Sequence, residues 1–216
     1  FFAPGWGVGV AGLEAGPYDA LMVNDSRVLN DPQRANDPNE GAAREFTRLL
    51  QERGITIANA ASSGMATPAA TVIGSIDSAP MTEIVGEMLA NSDNNTAELL
   101  VKEIGIVGEG IGSREAGARV MTAKLAEWGI ETANIVLSDG SGLSLDNRLT
   151  CAAILAVLQR HSPSSALGVA LPLAGATGTL RDIFTDQSVA GRLMGKTGTL
   201  RTPGALYTAD AAAAER

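Results

Sequence analysis

Histidine, cysteine and aromatic residues are scarce in this sequence of 216 residues. One histidine (His161) and one cysteine (Cys151) make no ligand cluster, so we expect neither a metal nor another cofactor, and a single cysteine excludes an internal disulfide. Basic residues are also few, since 16 Lys and Arg stand against 24 Asp and Glu and give a net charge of −8. A phosphate-binding surface needs clustered Lys and Arg, so a nucleic-acid partner is not expected.

Long apolar runs are absent as well, because glycine or charged residues interrupt each of them, and no segment is expected to span a bilayer. The chain is long enough for a domain or a domain and a half with a buried core, and Cys151 is predicted to be a small buried residue in that core. The first residues carry no charged n-region and no initiator Met. We therefore expect a fragment of a longer precursor rather than a signal peptide.

The apolar pattern alternates between helices and short strands. Helical spacing predicts helices over residues 40–53, 80–89, 95–104, 113–128 and 150–160. Apolar runs between turn residues predict strands at 7–11, 20–23, 55–58, 134–138 and 191–195. Ser113 is predicted to cap one helix, and Glu98 to act as the capping partner at the start of another.

Two short motifs carry specific chemistry. The first is Gly195-Lys196-Thr197-Gly198-Thr199, which sets an ammonium, hydroxyls and an unhindered backbone side by side and suits a carboxylate next to a reacting carbonyl. The second is Ser92-Asp93-Asn94, predicted to open a helix. Taken alone, Ser-Asp-Asn is typical of a helix cap and Lys-Thr-Gly of a solvated strand end. Their joint occurrence in this order favours a site.

These motifs usually accompany a third, Ser-x-x-Lys, whose serine is a nucleophile. The three lysines of the chain are Lys102, Lys124 and Lys196, and the residues three positions before them are Leu99, Met121 and Leu193. No Ser-x-x-Lys occurs in the 216 residues. The nucleophile is therefore expected upstream of this chain, or lost.

The chain resembles the penicillin-binding protein 4-type serine D-alanyl-D-alanine carboxypeptidases (peptidase family S13). The resemblance is good from about Ser78 to Leu200 and faint from Trp6 to Gly54. Beyond the two motifs, it rests on residues 78–91, Asn95-Thr-Ala-Glu98, Ser138-Asp-Gly-Ser-Gly-Leu-Ser144, Asn147-Arg148, Leu171-Pro-Leu-Ala-Gly175 and Gly178-Thr-Leu180. The tetrapeptide Thr-Gly-Thr-Leu occurs both at 177–180 and at 197–200, but it is too short to count as a repeat.

The resemblance implies an α+β (α/β) architecture, the penicillin-recognising fold of DD-peptidases and β-lactamases. This fold has an antiparallel sheet and a helical subdomain, and it would be incomplete in this chain. Residues 1–75 would be the C-terminal part of an inserted accessory domain. Residues 76–216 would be part of the transpeptidase-like domain.

The resemblance also implies residue roles. Ser92 would relay a proton to the leaving D-alanine nitrogen, Asn94 would hold the substrate carbonyl, and Lys196 would supply positive potential and help proton transfer. The Thr197 and Thr199 hydroxyls would bind the substrate carboxylate, and the Thr199 N–H would be one of two oxyanion donors. The full implied set is catalytic Ser92, Asn94 and Lys196 with substrate-binding Asp93, Thr197, Gly198 and Thr199.

The implied activity is D-Ala-D-Ala carboxypeptidase or endopeptidase action on peptidoglycan stem peptides, with acylation by β-lactams. The location would be the periplasm or cell-wall space, soluble or peripherally attached to the membrane. An upstream segment or another chain would complete the site, so the chain alone is expected to be inactive. Two alternatives are a non-catalytic peptidoglycan-binding homologue and a β-lactamase. A Ser141-His161 triad is a remote option, because His161 lies at a predicted helix end.

Overall fold

A computed structural model describes residues 3, 5–7, 9–27, 34–186, 188–202 and 205–208 of the chain. It divides into two compact units. The first runs as far as Ser78, and the second runs from Ala79 and also includes residues 5–7. The assignment of residues 1–75 to an accessory domain stays a prediction.

The first unit contains one long helix, α1 (Pro38–Glu52), which confirms the helix predicted over 40–53. Asp37 caps it by accepting hydrogen bonds from the Asn39 and Glu40 amides. The predicted strands at 20–23 and 55–58 are wrong, and the described residues of 7–11 form turns and an isolated bridge. Their backbone groups bond locally instead, as in the 2.7 Å bond from the Gly12 amide to the Ala15 carbonyl.

Residues 55–78 follow α1 and form no helix or strand. Almost all of them are exposed, including the large apolar side chains Met65 and Ile73, whose relative exposures are 96% and 101%. Small residues dominate this stretch, so it offers little apolar surface of its own with which to form a core.

The second unit is mostly helical. Four of its helices lie where the sequence predicts them, and α6 is additional. Ser113 caps α4 as predicted, since its hydroxyl accepts from the Ala116 amide at 3.1 Å. The bounds are α2 Met81–Asn91, α3 Asn94–Glu109, α4 Arg114–Glu127, α5 Cys151–Gln159 and α6 Ala166–Ala170.

Helix α3 passes through Gly105, where the sequence predicts its end, and stops at Glu109. Gly105 is used for packing: a Cβ on it would lie 2.5 Å from the Ile111 carbonyl oxygen. Gly117 of α4 is closer still, since a Cβ there would lie 1.9 Å from the Val101 carbonyl oxygen of α3. Helices α3 and α4 therefore form a hairpin in which glycines bring the two backbones together.

Gly117→Ala is expected to destabilise the chain by about 3 kcal/mol, near the upper end of the usual cost of overpacking, because the clash is with rigid backbone. Gly86→Ala in α2 is the matched control, since nothing lies within 4 Å of a Cβ at Gly86. Because alanine favours the helix more than glycine does, Gly86→Ala is expected to raise the free energy of unfolding by about 0.5–1 kcal/mol. Urea denaturation measures both variants, and equal effects would contradict the close packing.

Strands are fewer than the sequence predicts. Among the described residues, regular strand is confined to the antiparallel hairpin of β1 (Thr199–Thr202) and β2 (Ala205–Thr208), with Thr199 paired to Thr208. The predicted strands at 134–138 and 191–195 are reduced to single antiparallel bridges, Val136 with Arg148 and Leu173 with Met194. The predicted antiparallel sheet is thus present only as this hairpin within the part that the structure describes.

The core of the second unit lies between α4, α5 and the loop after α4. Ile130, Ile135 and Ala153 are buried there, with Leu125 and Trp128 packed against them. Cys151 is exposed, so its predicted burial is wrong; it is the first residue of α5, before the helix reaches the core. None of the helices in the described ranges has the length and apolarity needed to cross a membrane.

Candidate active site

Ser92, Asp93 and Asn94 form a sharp corner between α2 and α3. Ser92 is the C-cap of α2 and has left-handed backbone angles (φ 57°, ψ 48°). Asp93 is the N-cap of α3, and its carboxylate accepts from the Asn95 amide (2.9 Å), the Thr96 amide (3.1 Å) and the Thr96 hydroxyl (2.6 Å). Asn94 is the first residue of α3. Asp93 therefore fixes the corner, and its role in substrate binding stays a prediction.

The Lys196 side chain contacts this corner, although it lies far from Ser92 in the sequence. Its Nζ donates to Ser92 Oγ at 2.6 Å and to the Thr197 carbonyl oxygen at 2.6 Å. Ser92 and Lys196 are 104 positions apart in the chain. The structure thus brings together the two motifs that the sequence singles out.

Backbone hydrogen bonds hold the segment before Lys196 in place. The Gly195 amide donates to the Pro172 carbonyl at 3.0 Å, and the Ala174 amide to the Leu193 carbonyl at 2.9 Å. Lys196 itself precedes β1, which begins at Thr199. The lysine is therefore carried by an extended segment paired with residues 172–174, and not by the predicted strand.

An apolar cavity of about 410 Å³ adjoins the site lysine. Lys196 and Lys124 are the charged residues in its lining, and the rest is apolar. Because apolar surroundings disfavour the charged form, burial lowers the pKa of the Lys196 ammonium below its ordinary value of 10.5. The lysine is thereby shifted toward the neutral form that can accept a proton. The remaining lining residues include Leu89, Leu125, Leu137, Val157 and Leu171.

We expect the pKa of Lys196 to lie below 10.5. An NMR titration of the lysine ε-methylene resonances would measure it, and the resonance that disappears in Lys196→Arg identifies the residue. Between the lowered native pKa and 10.5, the unfolded chain binds more protons at this residue than the folded chain. This lysine therefore makes the free energy of unfolding rise with pH in that window. A Lys196 midpoint at or above 10.5 would contradict the burial argument.

The other predicted residues of the lysine motif lie beside it. Thr197 is half-buried, and its hydroxyl donates to the Thr179 hydroxyl at 2.8 Å. Gly198 and Thr199 are exposed, and Thr199 begins β1. Thr179 has no predicted role in the site, although it belongs to the Gly178-Thr-Leu180 piece of the family resemblance and to the Thr-Gly-Thr-Leu at 177–180.

Glu98 is a second residue whose role the sequence does not reveal. It is fully buried, and instead of capping α3 it accepts hydrogen bonds from the Gly140 amide (3.0 Å), the Ser141 amide (2.9 Å) and the Ser141 hydroxyl (2.7 Å). Its other oxygen lies 3.3 Å from Arg114 Nε in α4. The predicted capping role is wrong, because Glu98 lies more than a turn inside α3 and faces the 138–144 loop.

Asp139 organises the same loop from within. It is 5% exposed and accepts from the Trp6 indole (3.1 Å), the Gly142 amide (2.8 Å), the Ser144 amide (2.5 Å) and the Asn147 side chain (2.7 Å). The Asp-Gly-Ser-Gly stretch is thus a rigid polar loop attached to α3.

The remote Ser141-His161 option gains no support. Ser141 Oγ donates to Glu98, a carboxylate. The His161 ring packs edge-on against Trp128 at 6.2 Å, with Arg160 over the same indole at 4.9 Å. The described contacts therefore give Ser141 no base of the triad type.

Comparison with known families gives one match over most of the chain. Residues 23–208 match the model of the D-Ala-D-Ala carboxypeptidase 3 (S13) family. Among curated relatives, a carboxypeptidase of Mycobacterium tuberculosis is 32% identical over 92% of this chain and 45% of its own length. A D-alanyl-D-alanine carboxypeptidase of an Actinomadura species is 31% identical over 88% of this chain and 36% of its own length. The chain spans less than half the length of these relatives.

Solved structures give the same result for the fold. Penicillin binding protein 4 of Haemophilus influenzae, in complex with a β-lactam, superposes with a TM-score of 0.64 at 24% identity. The match covers 78% of this chain and 40% of that one. A second structure of the same protein has a TM-score of 0.50 over 55% of this chain. The chain therefore shares part of the fold of penicillin binding protein 4.

Proposed function

The chain belongs to the D-Ala-D-Ala carboxypeptidase 3 (S13) family, and from this premise we propose that it forms half of a serine-type D-Ala-D-Ala carboxypeptidase site. The observation that carries the proposal is the 2.6 Å contact between Lys196 Nζ and Ser92 Oγ. A hydroxyl held by a lysine of lowered pKa can pass a proton on, because the lysine can take up or return the proton that the hydroxyl exchanges. The nucleophilic serine lies in a part of the protein outside these 216 residues.

In this proposal the nucleophile attacks the carbonyl between two D-alanine residues and forms an acyl-enzyme. The bond to the terminal D-alanine nitrogen breaks, and the Ser92 hydroxyl delivers a proton to that nitrogen while Lys196 replaces it. The proton that the nucleophilic hydroxyl loses on attack returns to Lys196, so the step balances. Water then hydrolyses the ester and frees the nucleophile. Ser92 and Lys196 serve as a proton relay in this scheme.

The neighbouring residues bind and orient the substrate. Asn94 begins α3 two positions after Ser92, which suits its amide to the substrate carbonyl. Thr197 and Thr199 offer hydroxyls to the terminal carboxylate, and the Thr199 amide is one oxyanion donor. Gly198 leaves this edge of the backbone unobstructed.

The substrate we propose is a peptidoglycan stem peptide that ends in D-Ala-D-Ala, cleaved as a carboxypeptidase or an endopeptidase. β-Lactams would acylate the same serine, and the β-lactam complex of penicillin binding protein 4 supports this. The proposed location is the periplasm or cell-wall space, where such a substrate is found. Residues 1–75 would then belong to an accessory domain inserted ahead of residues 76–216.

Intact-mass spectrometry after incubation with a fluorescent penicillin tests the proposal. The protein made from its complete coding sequence is expected to gain one penicilloyl group, and the 216-residue chain none. An adduct on the short chain would show that it contains its own nucleophile and would contradict the split site.

The same experiment separates the two alternatives. The absence of Ser-x-x-Lys from the 216 residues favours a peptidoglycan-binding module as the second candidate. That candidate predicts no adduct on either folded protein. A β-lactamase would instead form an adduct that is hydrolysed rapidly, with continuous turnover of the penicillin.

A further inference from the structure

The Thr-Gly-Thr-Leu at residues 177–180 contacts the one at residues 197–200. Residues Gly178–Leu180 form a 3-10 helix, and the Thr179 hydroxyl accepts the hydrogen bond that the Thr197 hydroxyl donates at 2.8 Å. Both side chains are half-buried. The two copies of one tetrapeptide thus meet through the second threonine of one, Thr179, and the first threonine of the other, Thr197.

Thr179 is fixed in place from both sides. Gly178 has a φ of +54°, and a Cβ there would lie 2.4 Å from the Ala90 carbonyl oxygen at the end of α2. Leu180 is 3% exposed, and its carbonyl accepts from the Gly175 amide at 2.9 Å. The 3-10 helix therefore packs against Ala90, two positions before Ser92 in the chain, and this packing fixes the position of the Thr179 hydroxyl oxygen while its proton stays free to rotate.

The direction of the hydroxyl pair matters for an anionic ligand. Each threonine hydroxyl has one proton and two lone pairs. As the pair stands, the Thr197 proton points to Thr179, so a carboxylate at Thr197 would meet lone pairs. If both hydroxyls rotate, Thr179 donates to Thr197 and Thr197 donates to the carboxylate, and no hydrogen bond is lost.

We propose that Thr179 is a positioning residue of the carboxylate site. Its hydroxyl accepts a hydrogen bond from the Thr197 hydroxyl in the free protein and donates one to it when a carboxylate is bound. The proposal rests on the proposed function only in taking Thr197 as a carboxylate ligand. Thr179 acts through Thr197, and it does not touch the ligand.

The test uses N-acetyl-D-alanine as the carboxylate probe and N-acetyl-D-alaninamide as the uncharged control. Binding is followed on the 216-residue chain by NMR shifts of the Gly198 and Thr199 amides. Thr179→Val is expected to weaken carboxylate binding about 5-fold, the effect of one hydrogen bond of average strength, and to leave amide binding within about 2-fold. Thr179→Ser should restore carboxylate binding.

Two controls separate positioning from folding. Thr177→Val alters the neighbouring threonine, whose hydroxyl accepts from the Leu173 amide at 3.0 Å, and it should leave carboxylate binding unchanged. In a Thr197→Val background, Thr179→Val should have no further effect. Thr179→Ala removes the same hydroxyl and replaces the valine variant if that one does not fold.

Unchanged carboxylate binding in Thr179→Val, an equal loss for the carboxylate and the amide, or no carboxylate binding by the wild-type chain would each overturn the proposal. The penicillin adduct reports on the proposed enzyme independently. A carboxylate effect without any adduct would support Thr179 and contradict the carboxypeptidase.

Discussion

Glu98→Ala is expected to lower the free energy of unfolding by about 3–5 kcal/mol, the usual cost of removing one partner of a buried ion pair. The Glu98 side chain is fully buried and the Arg114 side chain is 11% exposed, so the guanidinium would be left without its counter-charge. The Gly140 and Ser141 amides would lose their acceptor in the same step. Urea denaturation followed by circular dichroism measures the loss.

The chain contains a matched control for this variant. Glu109 and Arg119 form a second ion pair between α3 and α4, which is far more exposed than the first. Glu109→Ala should change stability little, because water replaces the lost partner. If both glutamate variants lost similar stability, burial would not be the cause of the Glu98 effect.

Lys196→Met is expected to slow penicillin acylation by about 10²–10⁴-fold, the range typical of a lost proton-transfer group. The measurement is the rate of adduct formation in the protein made from its complete coding sequence. Methionine keeps the unbranched stem beside the apolar cavity but removes the ammonium that donates to Ser92. The loss should therefore appear in the rate and not in the fold.

Lys124→Met is the control for the lysine. Lys124 lines the same cavity, but its ammonium pairs with Glu127 at 2.9 Å. Its loss should leave acylation within about 2-fold of wild type, because it takes no part in the proposed relay. A rate equally reduced in both variants would point to the cavity and would contradict a specific role for Lys196.

Features set by neighbouring residues could be predicted from the sequence. Ser113 caps α4 as predicted, because a cap involves only the residues of one turn. The five predicted helices are present for the same reason, since their apolar spacing and caps are local. The corner at Ser92 was also predictable as the end of one helix and the start of the next.

Features that depend on distant residues were missed. Glu98 resembles a capping residue in sequence, yet the amides that donate to its carboxylate lie more than forty positions later in the chain. Gly105 resembles a helix end, but α4 packs against it and the helix continues. The predicted strand at 191–195 has the right composition, but among the described residues it pairs only through the Met194 bridge to Leu173.

The left-handed backbone at Ser92 has an evolutionary consequence. That conformation costs a residue with a Cβ ~1 kcal/mol, and glycine or asparagine would occupy it with less strain. Serine at this position therefore stabilises the fold less than glycine or asparagine would. If the hydroxyl is what selection retains, stability and chemistry favour different amino acids at a single codon, and a lineage that lost the activity would be free to drift toward glycine there.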